Sequence, residues 1–192
     1  MQEIDYNNYY WQDDLVRLRA ANADDWEFHH YNRFDTPSRL LLDYLVELPP
    51  TIKESQEKTA IFADFDQSTG HGRGRFMFAA ETLDGNTVGW LNLNSIDERN
   101  GTFSIGMQID GRQRGKGYGT AAMRIVLRYA FLERRLNKYN GSVLDGNIAS
   151  ATMLKKLGCV QEGVRRQIIY SGGKYHDEIL FGLTKDEFLQ VK

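Results

Sequence analysis

Apolar and charged positions alternate at Leu15-Val16-Arg17-Leu18-Arg19 and predict a first strand. Asn22-Ala23-Asp24-Asp25-Trp26-Glu27 then reads as a capped helix entry with acids in its first turn, and the helix is expected to run to about Phe34. Residues 38–48 and 51–60 form a second helical region broken at Pro49-Pro50, and Gln67-Ser68-Thr69-Gly70-His71-Gly72-Arg73-Gly74-Arg75 has the composition of a loop. From residue 76 the period becomes two. Strands are predicted at Phe76–Thr82, Val88–Ile96 and Thr102–Ile109, divided by turns at Asp84-Gly85-Asn86 and Glu98-Arg99-Asn100-Gly101. Helical spacing returns over Tyr118–Leu132, where the small Ala121 and Ala122 suit a close helix-to-sheet contact. Tyr139–Leu144 predicts a strand, 148–157 a short helix, and Val160–Ile169 and Glu178–Leu183 closing strands about Ser171-Gly172-Gly173. This order predicts one α/β (α+β) domain over 1–192, with 1–12 as an N-terminal extension. Its sheet is mixed but mostly antiparallel, of six to seven strands, flanked by helices.

The strand ending at Ile109 and the helix starting at Tyr118 are joined by Arg112-Gln113-Arg114-Gly115-Lys116-Gly117-Tyr118-Gly119-Thr120. Glycine at every second position allows a tight fold and brings N–H groups close to a ligand, and the following helix adds its positive end. Arg112, Arg114 and Lys116 supply three charges able to pair with phosphate oxygens. Such a segment suits a pyrophosphate. It is not a nucleotide-hydrolysing P-loop, because Lys116 is followed by Gly117 rather than by a magnesium-binding hydroxyl. A dinucleotide fingerprint fits poorly, since the spacing is Gly-x-Gly-x-Gly and the loop follows an antiparallel meander.

Arg112-x-x-Gly115-x-Gly117 resembles the acetyl-coenzyme A loop of the GNAT N-acetyltransferase superfamily. A second block, Asn147-x-x-Ser150-x-x-Met153-Leu154-Lys155-Lys156-Leu157-Gly158-Cys159 followed by Glu162-Gly163, is similar to that family's later helix. The ending Tyr175-His176-Asp177-Glu178-Ile179-Leu180-Phe181-Gly182-Leu183 resembles the branch of ribosomal-protein N-terminal acetyltransferases and spermidine acetyltransferases. The resemblance covers roughly residues 13–188 and is poorest around 35–72. It implies a sheet splayed between the fourth and fifth strands, with the pantetheine arm of acetyl-coenzyme A in the gap as though it were another strand. It also implies contacts from backbone N–H groups of Met107, Gln108 and Ile109, one of them polarising the thioester carbonyl. Arg112, Arg114, Gly115, Lys116, Gly117, Tyr118, Gly119 and Thr120 would hold the pyrophosphate, and Asn147 and Ser150 would face the sulfur. Asn147 is equally a good N-cap.

The implied chemistry needs no metal: an amine attacks the thioester in a ternary complex, and the leaving thiolate is protonated. Where many members carry a tyrosine acid this chain has Leu154, and where others carry a glutamate base it has Ser104. Ser150 is then the best remaining proton donor. A lysine or polyamine amine is only about 0.1% neutral near pH 7.5, a deficit of roughly 4 kcal/mol, whereas an α-amine is substantially neutral. The missing base constrains the acceptor only weakly: an α-amine, as at a protein N-terminus, needs less help, and polyamines and small amines (amino acids or antibiotics) stay open as acceptors. Water-relayed proton removal through Glu81, Asn92 or Asn94, or a group from the last strand such as His176 or Asp177, stays open. His29, His30 and His71 show no partner pattern. Loss of the tyrosine and glutamate also admits a non-catalytic acyl-coenzyme A-binding module.

The 192 residues are 41% hydrophobic and 26% charged, ordinary globular usage, and the net charge of −2 gives no global pull toward nucleic acid or an anionic membrane. No apolar run approaches the length of a membrane span and Met1-Gln2-Glu3-Ile4-Asp5 is unlike a signal peptide, so a cytoplasmic protein is expected. Cys159, the single cysteine, is expected to pack in the core, and no Cys/His cluster has zinc spacing. The aromatic segment Tyr6, Tyr9, Tyr10 and Trp11 is expected to cover either a neighbour in a homodimer or the domain's own sheet.

Overall fold

The computed structural model describes residues 4–63 and 76–191, so the predicted loop at 67–75, with His71, lies outside the described residues. Its strands are β1 (Val16–Ala20), β2 (Phe76–Thr82), β3 (Thr87–Asp97), β4 (Thr102–Ile109), β5 (Lys138–Leu144), β6 (Val160–Ser171) and β7 (Lys174–Thr184). They form one sheet in the order β1-β2-β3-β4-β5-β7-β6, antiparallel except for β4 beside β5. That parallel pair is short. Thr102 and Phe103 are in register with Lys138 and Tyr139, and the ladder stops there, which leaves the C-terminal half of β4 with an open edge.

The helices are α1 (Trp26–Asn32), α2 (Thr36–Leu42), α3 (Ile52–Ala63), α4 (Tyr118–Arg128), α5 (Ile148–Lys156) and α6 (Lys185–Gln190). Side chains of opposite parity on β3 and β4 serve two layers. Leu91, Leu93 and Phe103 are buried in the main core with Ala122, Ile125, Val126 and Phe131 of the α4 layer. Trp90, Asn92, Gly106 and Gln108 face the layer formed by α1, α2 and α3. Ala121 and Ala122 are buried in α4, as close helix-to-sheet packing requires. Gly119 is needed for the same reason, because a Cβ there would come 3.0 Å from Met107 Cε and 3.3 Å from Ile109 Cγ1. The third glycine of the loop therefore serves packing.

Element ends differ from the sequence expectation where local bonds decide them. Asn22 caps a 3-10 turn at Ala23–Asp25 through a reciprocal pair with Asp25, and α1 stops at Asn32 because Asp35 caps α2 through Ser38 N at 3.3 Å. The predicted 38–48 segment is helical only to Leu42. Asp43 N and Tyr44 N both turn back to Arg39 O, and Tyr44 takes a φ of 65°, ending the helix. At the far end of α4, residues Tyr129–Glu133 widen into a π turn. The closing strands run longer than predicted, and α6 was not expected, although Thr184-x-x-Glu187 is a capping box visible in the sequence.

The N-terminal aromatic segment covers its own domain. Trp11 stacks near Phe78 and Tyr129 at centroid distances of 5.0 and 4.6 Å, and the guanidiniums of Arg17 and Arg128 sit over Tyr6 and Tyr10. Cys159 is buried, and that burial pushes its thiol up to about 12, so it stays protonated and packs as a small hydrophobe.

Candidate active site

The open edge of β4 has a defined polarity. Asp110 N donates to Val88 O across β3, and Gly101 O accepts from Asn137 N and Lys138 N on the β5 side. Backbone groups alternate along a strand, so the odd-numbered residues from 101 to 109 face the gap and the even-numbered ones face β3. Met107 and Ile109 thus present their N–H groups to the gap. Gln108 does not: its amide belongs to the β3 ladder, which corrects the expectation of three consecutive N–H contacts. Its side chain instead lines the opposite layer, in the cavity described below.

The gap runs out onto the glycine loop. Gly115 and Gly117 have φ of 77° and 88°, and Gly117 is the N-cap of α4 with no side-chain oxygen turned back on the helix. The first intrahelical donor is Ala121 N to Gly117 O, so the N–H groups of Tyr118, Gly119 and Thr120 have no partner within the helix. This cradle of free donors at a helix start fits a pyrophosphate. The three cations around it are already engaged. Arg112 makes a two-pronged bond to Asp110, Arg114 reaches Asp35 at 3.1 Å and Ile109 O at 3.2 Å, and Lys116 holds Gln113 Oε1 at 2.7 Å. The Arg112 guanidinium holds the Asp110 carboxyl below the usual carboxylate range. Arg114 ties the loop to the start of α2, a tie with no motif in the sequence.

At the start of α5, Asn147 Oδ1 accepts from Ser150 N at 3.1 Å, so Asn147 is an N-cap. Ser150 is half-buried in the first turn. Leu154 is buried in the core, and Ser104 donates to Asn140 O at 2.8 Å across β4 and β5. Neither supplies an acid or base.

On the α1–α3 side lies a cavity of about 520 Å³, lined among others by His29, Arg33, Arg39, Met77, Trp90, Asn92, Asn94 and Gln108. It opens on the face of β4 that carries Gly106 and Gln108. Asn92 and Asn94 are in it; Glu81 is not among its walls. Glu81 is clamped by Arg17 at 2.6 Å and Arg19 at 3.0 Å, and Arg19 also holds Asp25 at 2.6 Å. His176 Nε2 lies 3.0 Å from Ser171 O, and Asp177 accepts from Gln167 N, both within the β6–β7 hairpin. The contributions of His29, Arg33 and Trp90 carry no motif in the sequence, because side chains from the α1 end and β3 converge here through tertiary packing alone.

Burial lowers the pKa of His29 from its ordinary 6.5, outweighing the opposing effect of Asp25. Asp25 is also held low: burial would raise it, but the Arg19 and Asn22 hydrogen bonds prevail. Both folded-state values lie below the unfolded ones, so both groups contribute stability that is present at high pH and lost on acidification. His29 gives a first loss starting near pH 6.5, and Asp25 a second one below 3.8. Denaturant titrations at several pH values are expected to show the first loss in wild type and a smaller one in His29→Gln; a midpoint constant between pH 8 and about 5 would contradict it.

The open strand edge thus leads into a glycine-built helix start, with a cavity on the opposite face. Residues 14–160 match the family described as "Acetyltransferase (GNAT) domain", and the chain belongs to that family. It is 39% identical over 113 residues to the SPbeta prophage-derived uncharacterized N-acetyltransferase YokL of Bacillus subtilis (strain 168), covering 59% of this chain and 64% of that one. It is 34% identical over 105 residues to the same organism's "Putative ribosomal N-acetyltransferase YdaF", covering 55% and 57%. The chain thus spans about three-fifths of the length of these curated relatives. Among solved structures, spermidine N-acetyltransferase from Vibrio cholerae in complex with CoA and spermine superposes with a TM-score of 0.78 at 20% identity, covering 93% of this chain and all of that one. At that identity the likeness shows the fold.

Among the described residues no helix is long and apolar enough to cross a membrane, and no group of three or more His, Cys, Asp or Glu is placed to hold a metal ion.

Proposed function

We propose that this protein is an acetyl-coenzyme A-dependent N-acetyltransferase that moves the acetyl group to a primary amine by direct attack in a ternary complex, with a protein N-terminal α-amine as the favoured acceptor. The observation that carries this reading is the open edge of β4, ending at an N-cap glycine that leaves three N–H groups of α4 free. When bound, acetyl-coenzyme A supplies the activated thioester. Met107 N–H or Ile109 N–H polarises the carbonyl, a preorganised donor worth on the order of 3 kcal/mol in such reactions. The residues of the loop from Arg112 to Thr120 bind the pyrophosphate, with Gly115 and Gly117 giving the close approach and Arg112, Arg114 and Lys116 the charge. Ser150, beside the Asn147 cap, protonates the leaving thiolate.

The ribosomal name of one relative supports the N-terminal α-amine, and the fold shared with a spermidine enzyme keeps a polyamine as the alternative. A non-catalytic acyl-coenzyme A-binding module is favoured by one observation, the burial of Leu154 where an acid would stand. Thiol release across a panel of amines tests the enzyme reading directly. In Ser150→Ala, kcat is expected to fall at least about tenfold while acetyl-coenzyme A affinity stays within about twofold. An unchanged kcat would remove Ser150 from the reaction.

A further inference from the structure

The acceptor cavity is unevenly furnished. Its floor carries Gln108, 6% exposed, whose Oε1 accepts from Trp90 Nε1 at 3.2 Å. Indole nitrogen only donates, so this bond fixes which way the amide points and leaves Gln108 Nε2 turned away with no partner. A buried amide N–H pair without an acceptor is costly unless a ligand supplies one. A second donor is in the same state: Arg39 bonds Glu47 and Asp43 through Nη2, while its Nε is buried and unpartnered. Charge is uneven too. Arg33, Arg39 and Lys58 line the cavity against two carboxylates, Asp43 and Glu47. Both carboxylates are ion-paired, Arg39 with both and Arg33 also with Glu47 at 2.5 Å, and Asp43 Oδ2 accepts no hydrogen bond. His29, with its lowered pKa, adds no positive charge at neutral pH and no anion.

A chain of ammonium groups meets a lining with more cations than carboxylates and a single unsatisfied carboxylate oxygen, Asp43 Oδ2. Each amine beyond the reacting one would need a carboxylate, and among the described residues of this cavity Asp43 and Glu47 are both already ion-paired with Arg39. A ligand with carbonyl or carboxylate oxygens next to its amine would instead satisfy Gln108 Nε2 and Arg39 Nε. We propose that this cavity selects α-amino carbonyl compounds, meaning an amine one carbon from a C=O group, and that Gln108 and Arg39 determine that choice against polyamines. The inference rests on the acetyltransferase reading and narrows its acceptor. A volume of about 520 Å³ admits an amino acid or the first residues of a peptide.

The test is steady-state kinetics with acetyl-coenzyme A and four amines: a free L-amino acid, its amide, a tetrapeptide with a free N-terminus, and spermidine. At least one of the first three is expected to exceed spermidine in kcat/KM by about tenfold or more, as two matched donors would produce. Preference for the free acid over its amide would point to small amino acids, and preference for the tetrapeptide to protein N-termini. Gln108→Glu keeps the shape and the acceptor for Trp90 but loses the free donor. It is expected to cut kcat/KM for the best α-amino carbonyl substrate about 10- to 100-fold, mainly through KM, while the spermidine rate holds or rises. Spermidine used as well as or better than the other three would overturn the proposal and leave the acetyltransferase reading intact. If acetyl-coenzyme A binds but no amine turns over, the acetyltransferase reading fails. Calorimetry with the tetrapeptide and spermidine then decides the cavity's preference: Gln108-dependent binding of the peptide supports it, and peptide binding absent or weaker than spermidine binding overturns it.

Discussion

Gly117→Glu is expected to weaken acetyl-coenzyme A binding at least about 100-fold in calorimetric titration, close to abolishing it. Three effects act together. Gly117 holds a φ of 88°, and a Cβ there would also come 3.3 Å from Leu15 Cδ1. A residue with a side chain loses about 1–2 kcal/mol in that left-handed region, which shifts the loop or strains it. The added carboxylate then sits among the free N–H groups of α4, where a pyrophosphate would otherwise take the positive end of the helix. Gly117→Ala separates the contributions: it carries the conformational cost without the charge, and its loss of affinity is expected to be smaller by tenfold or more. Unchanged affinity in the glutamate variant would place the pyrophosphate elsewhere.

Glu81→Gln is expected to lower the stability of the folded chain by about 3 kcal/mol, read as a shift in the denaturant midpoint at constant m-value. Glu81 joins Arg17 to Arg19 where side-chain exposures are 8% for the carboxylate and 10% for Arg17. Removing the charge leaves the Arg17 guanidinium buried without a counter-ion from Glu81, facing a neutral amide and the ring of Tyr6. The same variant tests a role in catalysis. As a positioned network member outside the acceptor cavity, Glu81 should affect kcat little under conditions where the variant is folded. A stable variant with a kcat lowered a hundredfold would instead make Glu81 part of the proton path.

The sheet was legible because period-two alternation and Asp-Gly and Asn-Gly turns are local signals, and Phe76–Thr82 and Thr102–Ile109 came out with the predicted ends. Helix ends in the α1–α3 region were less so. There the breaks follow from single side-chain caps such as Asp35 and from the positive φ of Tyr44, which a residue without glycine's freedom adopts under tertiary constraint. The glycine loop was readable in the sequence, but the reason for each glycine was not: Gly115 and Gly117 need their φ, while Gly119 answers to Met107 and Ile109 on the sheet. Nor could spacing show that Arg112 and Arg114 are held by Asp110 and Asp35. The cavity on the α1–α3 side was the least legible part. It is assembled from His29, Arg39, Trp90 and Gln108, residues far apart in the chain that carry no motif, and even Gln108 was expected to act through its backbone.

Acetyl transfer itself is the most direct point at which to test the account. Purified protein, acetyl-coenzyme A and a peptide with a free N-terminus would be incubated and the peptide mass followed, beside the same peptide already blocked at its N-terminus. One acetyl group is expected on the free peptide and none on the blocked one, with loss of the reaction in Gly117→Glu. Acetyl-coenzyme A that binds at the loop yet is never transferred to that peptide, an amino acid or a polyamine would contradict it.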